Sequence, residues 1–257
     1  MLRVIDRYAF TNRLRDVDPA QKSSIVMVTI LLCLLLDHPR VGWLVVAWMV
    51  GLAVWYARLP WRVVVAVVGS ELTFLVISVI SVAVSVSLTP PTASSGVWSV
   101  GPFWLSMSSE SLDTAARLLS RALGSIAALN FLILTTPLVD LLEVVRRLWV
   151  PPLLVELMML SYRAIFVLLD TLERMVTAQS GRLGYASWWS ALRSSALIGS
   201  RLFVETYHRS KALDIALLAR GFDGELRVLP LTYRHERRLW VIGGVMIVSL
   251  LWARWGA

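Results

Sequence analysis

Two short motifs decide how this sequence is interpreted: Ala178-Gln179-Ser180-Gly181-Arg182-Leu183-Gly184-Tyr185 and Ala219-Arg220-Gly221-Phe222-Asp223-Gly224. Each follows a long helical pattern, and in each an arginine stands before Gly or Leu-Gly, where helices commonly end. A guanidinium on the last helical turn is favoured by the helix dipole and presents five donors outward. Either arginine alone is as well explained as an ordinary C-terminal cap. The pair, within residues 150–223, indicates a paired docking device.

The composition around these motifs is that of an integral membrane protein. Of 257 residues, 57% are hydrophobic and 16% are charged, whereas a soluble domain has about a quarter charged residues. The net charge of +8 predicts cytoplasmic anchoring and contact with the lipid bilayer. No Lys/Arg run resembles a nucleic-acid-binding arm, so no nucleic-acid partner is expected. The single cysteine, Cys33, excludes an intrachain disulfide, and the polar first twenty residues do not predict a cleavable signal peptide.

The apolar runs predict an all-α integral membrane protein with about five transmembrane helices. The runs are residues 23–36, 41–57, 63–88, 112–136 and 239–252. The first is short, because a helix needs about 20 residues to cross the hydrocarbon core. Basic residues in the N-terminal segment and at Arg58 and Arg62 predict a multi-pass protein of the cell (inner) membrane with a cytoplasmic N-terminus. Thr89–Ser111 lacks Lys and Arg and is predicted to be an external loop.

Residues 137–238 predict a cytoplasmic helical domain that separates a membrane domain, residues 1–136, from a last span within residues 239–257. Its first helix, at 137–150, is amphipathic, with a polar side made of Asp140, Glu143, Arg146 and Arg147. Residues 150–182 predict one long helix on the cytoplasmic side. That helix carries a polar stripe of Glu156, Arg163 and Asp170. A second long helix, at 188–219, is predicted to break around Gly199.

The sequence offers little that would support catalysis or metal binding. It has no phosphate-binding Gly-rich loop ending in Gly-Lys-Ser/Thr. His235-Glu236 begins a zinc-protease pattern, but Leu239 stands where the second histidine is needed, so no metal site is expected. Ionisable residues inside membrane spans are functional candidates because burying them in lipid is costly. Glu71, Arg117 and Arg121 are such candidates, and snorkelling to the interface is the alternative for the arginines.

With these landmarks the chain resembles, over nearly its whole length, the transmembrane T component of energy-coupling factor (ECF) transporters, in the cobalt/nickel type often called CbiQ. Three groups of residues carry the resemblance. An N-terminal signature is matched by Ile5-Asp6-Arg7-Tyr8-Ala9, Asp16-Val17-Asp18-Pro19 and Lys22. The first coupling motif is matched by residues 178–182, although Leu183 follows where that motif commonly has a small residue. The second is matched by Arg209-Ser210, Ala212 and residues 219–224.

The resemblance implies a coupling scaffold without a catalytic, cofactor or metal site of its own. Such a scaffold joins ABC-type ATPases, which bind the ATP, to a separate substrate-binding membrane subunit; a small accessory membrane subunit would be a further partner. Two long helices that cross beneath the membrane would transmit the motion of the ATPases. The residues implied in ATPase docking are Gly181, Arg182, Ala219, Arg220 and Gly221. Those implied in supporting the coupling helices are Arg209, Ser210, Ala212 and Asp223.

Three alternatives stay open on the sequence. A self-contained secondary transporter would need repeated halves with helices broken at the membrane midplane, and no such repeat is apparent. A membrane-embedded enzyme would need a cluster of acid, base or metal-ligating residues at one depth, for which Glu71 alone is too little. A T component could also serve a vitamin-type substrate subunit. The choice between cobalt and nickel stays open as well, since ion recognition would lie in another subunit.

Overall fold

The first two long helices each begin at a proline behind a capping side chain. The Asp18 carboxylate accepts a hydrogen bond from the amide of Ala20 at the start of α1, which is Pro19–Leu35. The imidazole of His38 accepts one from the amide of Arg40 at the start of α2, which is Pro39–Gly51. Proline suits the first helical turn because that turn needs no amide donor. The chain continues beyond α2 as a π-helical turn at Leu52–Tyr56.

Six further helices and a small sheet complete the fold. In this computed structural model the described residues are 8–36, 38–83, 85–87, 96–100, 103–107, 109–222 and 233–255. The helices are α3 (Trp61–Ala83), α4 (Ser109–Thr135), α5 (Leu138–Arg147), α6 (Pro152–Gly181), α7 (Trp188–Leu218) and α8 (Arg237–Trp255). The strands are β1 (Ser85–Ser87), β2 (Gly96–Val100) and β3 (Phe103–Met107), antiparallel in the order β1-β3-β2. The predicted all-α membrane class is confirmed, with this sheet as an addition.

The structure differs from the predicted secondary structure in two places. The segment Thr89–Ser111, predicted as an external loop, holds β2 and β3 and the start of α4, because aromatic and β-branched residues favour strands. Its place outside the membrane stays a prediction. The break predicted around Gly199 is absent, and α7 is continuous from Trp188 to Leu218. A helical glycine costs only about 1 kcal/mol relative to alanine, which the rest of a 31-residue helix offsets. Residues 1–7 and 223–232, with part of the N-terminal signature and Asp223, lie outside the described residues.

Four of the described helices have the length and hydropathy needed to cross a membrane. They are α2 with its π-helical turn (Pro39–Tyr56), α3 (Trp61–Val82), α4 (Ser111–Thr135) and α6 (Pro152–Gly181). Helix α1 is apolar but has only 17 residues, as the short first run predicts. Helix α6 meets the criterion although the sequence places it on the cytoplasmic side. Its position relative to the membrane therefore stays a prediction.

The chain divides into two compact units, residues 1–141 with 232–257 and residues 142–231. In the first unit five long helices alternate in direction, as side-chain contacts show. Lys22 on α1 reaches Thr135 at the end of α4, and Trp48 on α2 donates to Ser249 on α8. We call the end of this bundle where α1, α3 and α8 begin and α2 and α4 finish its basic end. Its arginines are Arg13, Arg15, Arg58, Arg62, Arg234, Arg237 and Arg238.

Two glycines let three helices of this bundle approach closely. A Cβ on Gly42 of α2 would overlap the backbone carbonyl of Ser120 on α4. A Cβ on Gly124 of α4 would meet the Sγ of Cys33 on α1 and the backbone of Gly42. Around this contact the core is formed by fully buried aliphatic side chains such as Val41 and Val45. Small residues at such crossings allow tight helix packing in membrane proteins.

Candidate functional site

The end of α6 presents Arg182 through a Schellman-type turn. The amide of Leu183 donates to the Ser180 carbonyl at 3.1 Å, and the amide of Gly184 donates to the Gln179 carbonyl at 2.9 Å. These two bonds satisfy carbonyls that the helix end leaves open. They require the residue after Arg182 to be left-handed, and Leu183 has φ 57°. A leucine therefore takes the conformation that glycine usually provides.

The end of α7 repeats this geometry around Arg220. The amide of Gly221 donates to the Leu218 carbonyl at 3.0 Å, and the amide of Phe222 donates to the Leu217 carbonyl at 3.1 Å. Gly221 has φ 75°, the left-handed value that this turn needs. Arg182 and Arg220 thus occupy equivalent positions, each directly before the left-handed residue of the turn that ends its helix.

Both arginines and the apolar residues beside them are exposed in the second unit. Leu183 is 76% exposed next to Arg182, and Leu218 is 63% exposed two residues before Arg220. Trp188 and Trp189 at the start of α7 are likewise exposed. Such a concentration of exposed apolar side chains around charged helix ends is typical of a protein or membrane contact surface. Arg182 and Arg220, the two arginines singled out from the sequence, therefore both lie at accessible surfaces.

The turn between α6 and α7 is held by serine hydroxyls that the sequence analysis did not single out. The Gly184 carbonyl accepts hydrogen bonds from the Oγ atoms of Ser190 and Ser194, each at 2.9 Å. Gly184 has no space for a side chain, because a Cβ there would meet Ser194 and Gln179. Ser187 caps the start of α7 through the amide of Ser190. The sequence signal was Ser187 directly before the apolar start of α7, since serine is a preferred N-cap residue. These bonds fix the turn that carries Arg182.

Two of the predicted supporting residues, Arg209 and Ser210, lie on the surface that α6 and α7 share. The Arg209 guanidinium donates to Glu205 at 2.8 Å on its own helix and to the Thr171 hydroxyl on α6 at 3.5 Å. Ser210 lines, with Arg209, a groove of about 460 Å³ between the two helices. Ala212 and Gly181 are exposed, and Ala219 caps the end of α7. Arg209 therefore joins the two long helices at their contact.

In the first unit, a buried polar network that the sequence did not predict fastens the N-terminal segment. Lys22 is fully buried, and its Nζ donates to the carbonyls of Leu14 and Thr135 at 2.9 and 3.1 Å. The Asn12 amide donates to Leu134 and Thr135 at 3.3 and 3.2 Å. Lys22 belongs to the basic N-terminal segment, but unlike the exposed Arg13 and Arg15 it is buried. A charge is tolerated inside a core when hydrogen bonds satisfy it.

The same network joins the chain on either side of the second unit. The Tyr233 hydroxyl donates to Asp140 at 3.2 Å, and Gln21 bonds the backbone carbonyl of Glu236 at 2.8 Å. His235 lies 3.4 Å from the buried Asp18 carboxylate. Asp140 was expected on the polar side of α5, but it is buried, because Tyr233 provides a partner inside. Burial raises the pKa of the Asp140 carboxyl, against the opposing effects of the Tyr233 hydrogen bond and of Lys22 and Arg15.

The ionisable residues predicted within spans do not meet in one site. Glu71 on α3 accepts a hydrogen bond from the Asn130 amide on α4 at 2.7 Å, which joins these two helices. Arg117 is exposed and Arg121 is half-buried. Within the described ranges, no group of three or more His, Cys, Asp or Glu residues is arranged to hold a metal ion. Glu71 therefore joins α3 to α4.

Comparison with known proteins identifies the family. Residues 10–230 match the CbiQ family, described as cobalt transport protein. The cobalt transport protein CbiQ of Salmonella typhimurium is 28% identical over 87% of this chain and 99% of that protein. CbiQ of Rhodobacter capsulatus is 37% identical over 51% of this chain and 53% of that protein. A putative fused cobalt transport protein CbiMQ of Methanocorpusculum labreanum is 32% identical over 59% of this chain and 25% of that protein. The chain is therefore a multi-pass membrane protein that belongs to the CbiQ family of cobalt transport proteins.

Proposed function

We propose that this chain is the energy-coupling transmembrane scaffold of an ECF-type ABC importer for cobalt or nickel. It links cytoplasmic ATPases to a separate substrate-binding membrane subunit and catalyses no reaction itself. The observation that carries the proposal is the equivalence of Arg182 and Arg220. Each is an exposed guanidinium held directly before the left-handed residue of a Schellman-type turn at the end of a long helix. Two matching helix ends suit two matching sites, one on each ATPase.

The exposed surface of the second unit supports a docking role for Arg182 and Arg220 rather than a role as helix caps alone. A helix-capping arginine contributes about 0.3–1 kcal/mol through the helix dipole and needs no apolar neighbours. Here Leu183, Ile215 and Leu218 lie exposed beside the two arginines. Apolar side chains around a central arginine exclude water from its hydrogen bonds in many protein interfaces. The combination is therefore typical of a contact that becomes buried in a complex.

The groove between α6 and α7 supports their action as one coupled pair. Arg209 bonds Thr171 across it, and small residues such as Ser210 and Ala164 line it. Packed helices of this kind slide or tilt past one another by small shear movements. In the proposed scaffold, the two ATPases move toward each other. The shear movement of α6 and α7 would transmit that motion to the substrate-binding subunit.

The fused relative supports the proposal that a second membrane subunit is a partner of this chain. Its name joins CbiM to CbiQ in one chain, and a fusion keeps two components in fixed proportion and close together. For this chain we accordingly propose a separate CbiM-like subunit as the substrate-binding partner. The N-terminus is proposed to face the cytoplasm, at the basic end of the bundle, because lysine and arginine concentrate on the cytoplasmic side of membrane proteins.

The test is copurification of the ATPases with tagged variants of the chain in the assembled importer. Arg182→Ala and Arg220→Ala should each weaken ATPase binding by roughly thirtyfold or more, as truncation of a central interface arginine does. The double variant should lose more than either single one. Arg220→Lys should also fail, because an ammonium group cannot reproduce the planar donor set of a guanidinium.

Arg201→Ala is the matched control, since Arg201 is exposed near the middle of α7 and away from both of its ends, and ATPase binding should be unchanged. Metal uptake with cobalt and nickel should fall in parallel with ATPase binding. Normal ATPase binding and uptake in the double variant would contradict the proposal and leave both arginines as helix caps.

A further inference from the structure

An apolar groove opens on the outside of the first unit, between α2 and α8. Its volume is about 440 Å³, and its walls include Trp48, Gly51, Trp55 and Tyr56 of the α2 segment and Ile242 of α8. The indole nitrogen of Trp48 already donates to Ser249, so the wall offers little polar surface. A volume of this size suits a single small ligand or chain.

The groove has the length of one membrane leaflet. Its lining runs from Leu44 to Tyr56 along α2, which is about 18 Å at the rise of a helix. One half of the hydrocarbon core is about 15 Å thick. Trp55, Trp61 and Trp240 are exposed at the same end of the bundle, where tryptophan commonly marks the membrane interface. The groove therefore extends from that interface to about the middle of the bilayer.

The mouth of the groove is basic. Tyr56 lies there with its hydroxyl buried and beside the Glu236 carboxylate. The guanidinium groups of Arg13 and Arg238 and the carboxylate of Glu236 all act electrostatically on that hydroxyl. Both arginines are exposed, and so is Arg58, which has the unusual φ of 56° two residues after Tyr56. Positive charge thus exceeds negative charge beside the opening.

We propose that this groove is a binding site for one anionic phospholipid. An acyl chain lies along α2 between Trp48, Trp55 and Ile242, and the phosphate is held by Arg13 and Arg238. Basic pockets between transmembrane helices on the cytoplasmic side bind acidic lipid headgroups in this way. Arg13 follows Asn12, whose side-chain amide hydrogen-bonds the end of α4. A lipid bound by Arg13 would therefore contact the N-terminal segment where that segment is attached to α4.

The test is native mass spectrometry of the full chain in detergent, titrated with phosphatidylglycerol or with phosphatidylcholine of the same acyl chains. The wild type should bind its first phosphatidylglycerol at about tenfold lower concentration than its first phosphatidylcholine. The double variant Arg13→Gln/Arg238→Gln should bind both lipids at the same, higher concentration. Gly51→Leu should fill the groove and lose the first-bound lipid of either kind, since a side chain there meets no protein atoms.

Gly69→Leu is the matched control, because a Cβ on Gly69 of α3 also meets no protein atoms and that residue does not line the groove. It should bind both lipids as the wild type does. Equal binding of the two lipids by the wild type, or unchanged binding by Gly51→Leu, would overturn the proposal. In the assembled importer, a photo-crosslinker at Trp55 should capture lipid, and capture of a partner subunit in its place would likewise overturn it.

Discussion

At the scale of single residues, the two helix ends differ in how they reach the same turn. Gly221 adopts its φ of 75° without penalty, whereas Leu183 adopts 57° against the steric preference of a side chain. A left-handed conformation costs a non-glycine residue roughly 1–2 kcal/mol. The sequence predicted that both arginines lie at helix ends. A Leu-Gly pair, however, does not reveal which of its two residues takes the left-handed conformation. The hydrogen bonds of Leu183 and Gly184 to α6 decide this.

Leu183→Gly should stabilise the end of α6 by about 1 kcal/mol, because Leu183 is 76% exposed and loses little packing. The measurement is hydrogen–deuterium exchange of the amides at residues 182–184, which should slow about fivefold. Gly221→Ala should have the opposite effect on the amides of Gly221 and Phe222. Gly199→Ala, inside α7 where a Cβ meets nothing, is the control and should leave both turns unchanged. Faster exchange in Leu183→Gly would show that the turn is not strained.

Asp140 makes stability depend on pH in a predictable direction. Burial raises the pKa of its carboxyl above the ordinary value of 3.8, so the folded chain binds that proton more tightly than the unfolded chain. Its contribution to stability is then largest at acidic pH and falls as the pH rises through the raised pKa. Denaturation midpoints of the wild type and Asp140→Asn should be compared between about pH 4 and 7. The difference, wild type minus variant, should decrease with rising pH, and an increase would mean that the charged carboxylate is favoured.

At the scale of elements, hydrophobic periodicity predicted most helices to within a few residues. Residues 150–182 predicted α6, observed at Pro152–Gly181, and residues 112–136 predicted α4, observed at Ser109–Thr135. Contacts between elements were not predictable in the same way. Nothing local distinguishes Lys22 from an exposed anchoring lysine, because its partners are carbonyls of Leu14 and of Thr135, which is 113 residues away. The paired strands were missed because short strands in a Ser-, Gly- and Pro-rich segment carry weak periodicity.

Gly42 sets the distance between α2 and α4 and should be intolerant of any side chain. Its Cβ would overlap the Ser120 carbonyl, which is backbone and cannot move aside cheaply. Gly42→Ala should therefore cost about 1–3 kcal/mol through overpacking and lower the thermal unfolding midpoint of the purified chain. Gly51→Ala and Gly69→Ala, whose Cβ atoms meet nothing, should be neutral or slightly stabilising. Equal midpoints for the Gly42 and Gly69 variants would show that the helices can separate without loss.

At the scale of the whole molecule, the number of membrane crossings between α4 and α8 follows from the network at the basic end. Thr135 at the end of α4 bonds Lys22, Asp140 bonds Tyr233, and Gln21 bonds the chain just before α8. The segment 142–231 therefore leaves the bundle and returns to it at the same end. We therefore expect it to cross the membrane an even number of times, so that α6 and α7 either both cross or both stay on one side.

The charges of α7 favour no crossing. Its interior carries a series of ionisable residues, Arg193, Arg201, Glu205, Arg209, Lys211 and Asp214. Each charge at the centre of a bilayer costs about 2.5–3.5 kcal/mol even on the most permissive scale. We therefore expect that neither α7 nor α6 crosses, although the length and hydropathy of α6 would allow it. On this prediction the helices of the first unit span the membrane and the basic end faces the cytoplasm.

Single cysteines in a Cys33→Ser background test this arrangement in intact cells with an impermeant thiol reagent. Arg40→Cys, in the first turn of α2 at the end opposite the basic one, should be labelled. Leu148→Cys before α6 and Ser180→Cys in its last turn, both at exposed positions, should be labelled only after the membrane is permeabilised. If α6 crossed, Ser180→Cys would react like Arg40→Cys while Leu148→Cys stayed protected. If the whole bundle were inverted, Leu148→Cys and Ser180→Cys would both react and Arg40→Cys would not, which would place Arg182 and Arg220 beyond the reach of any cytoplasmic ATPase.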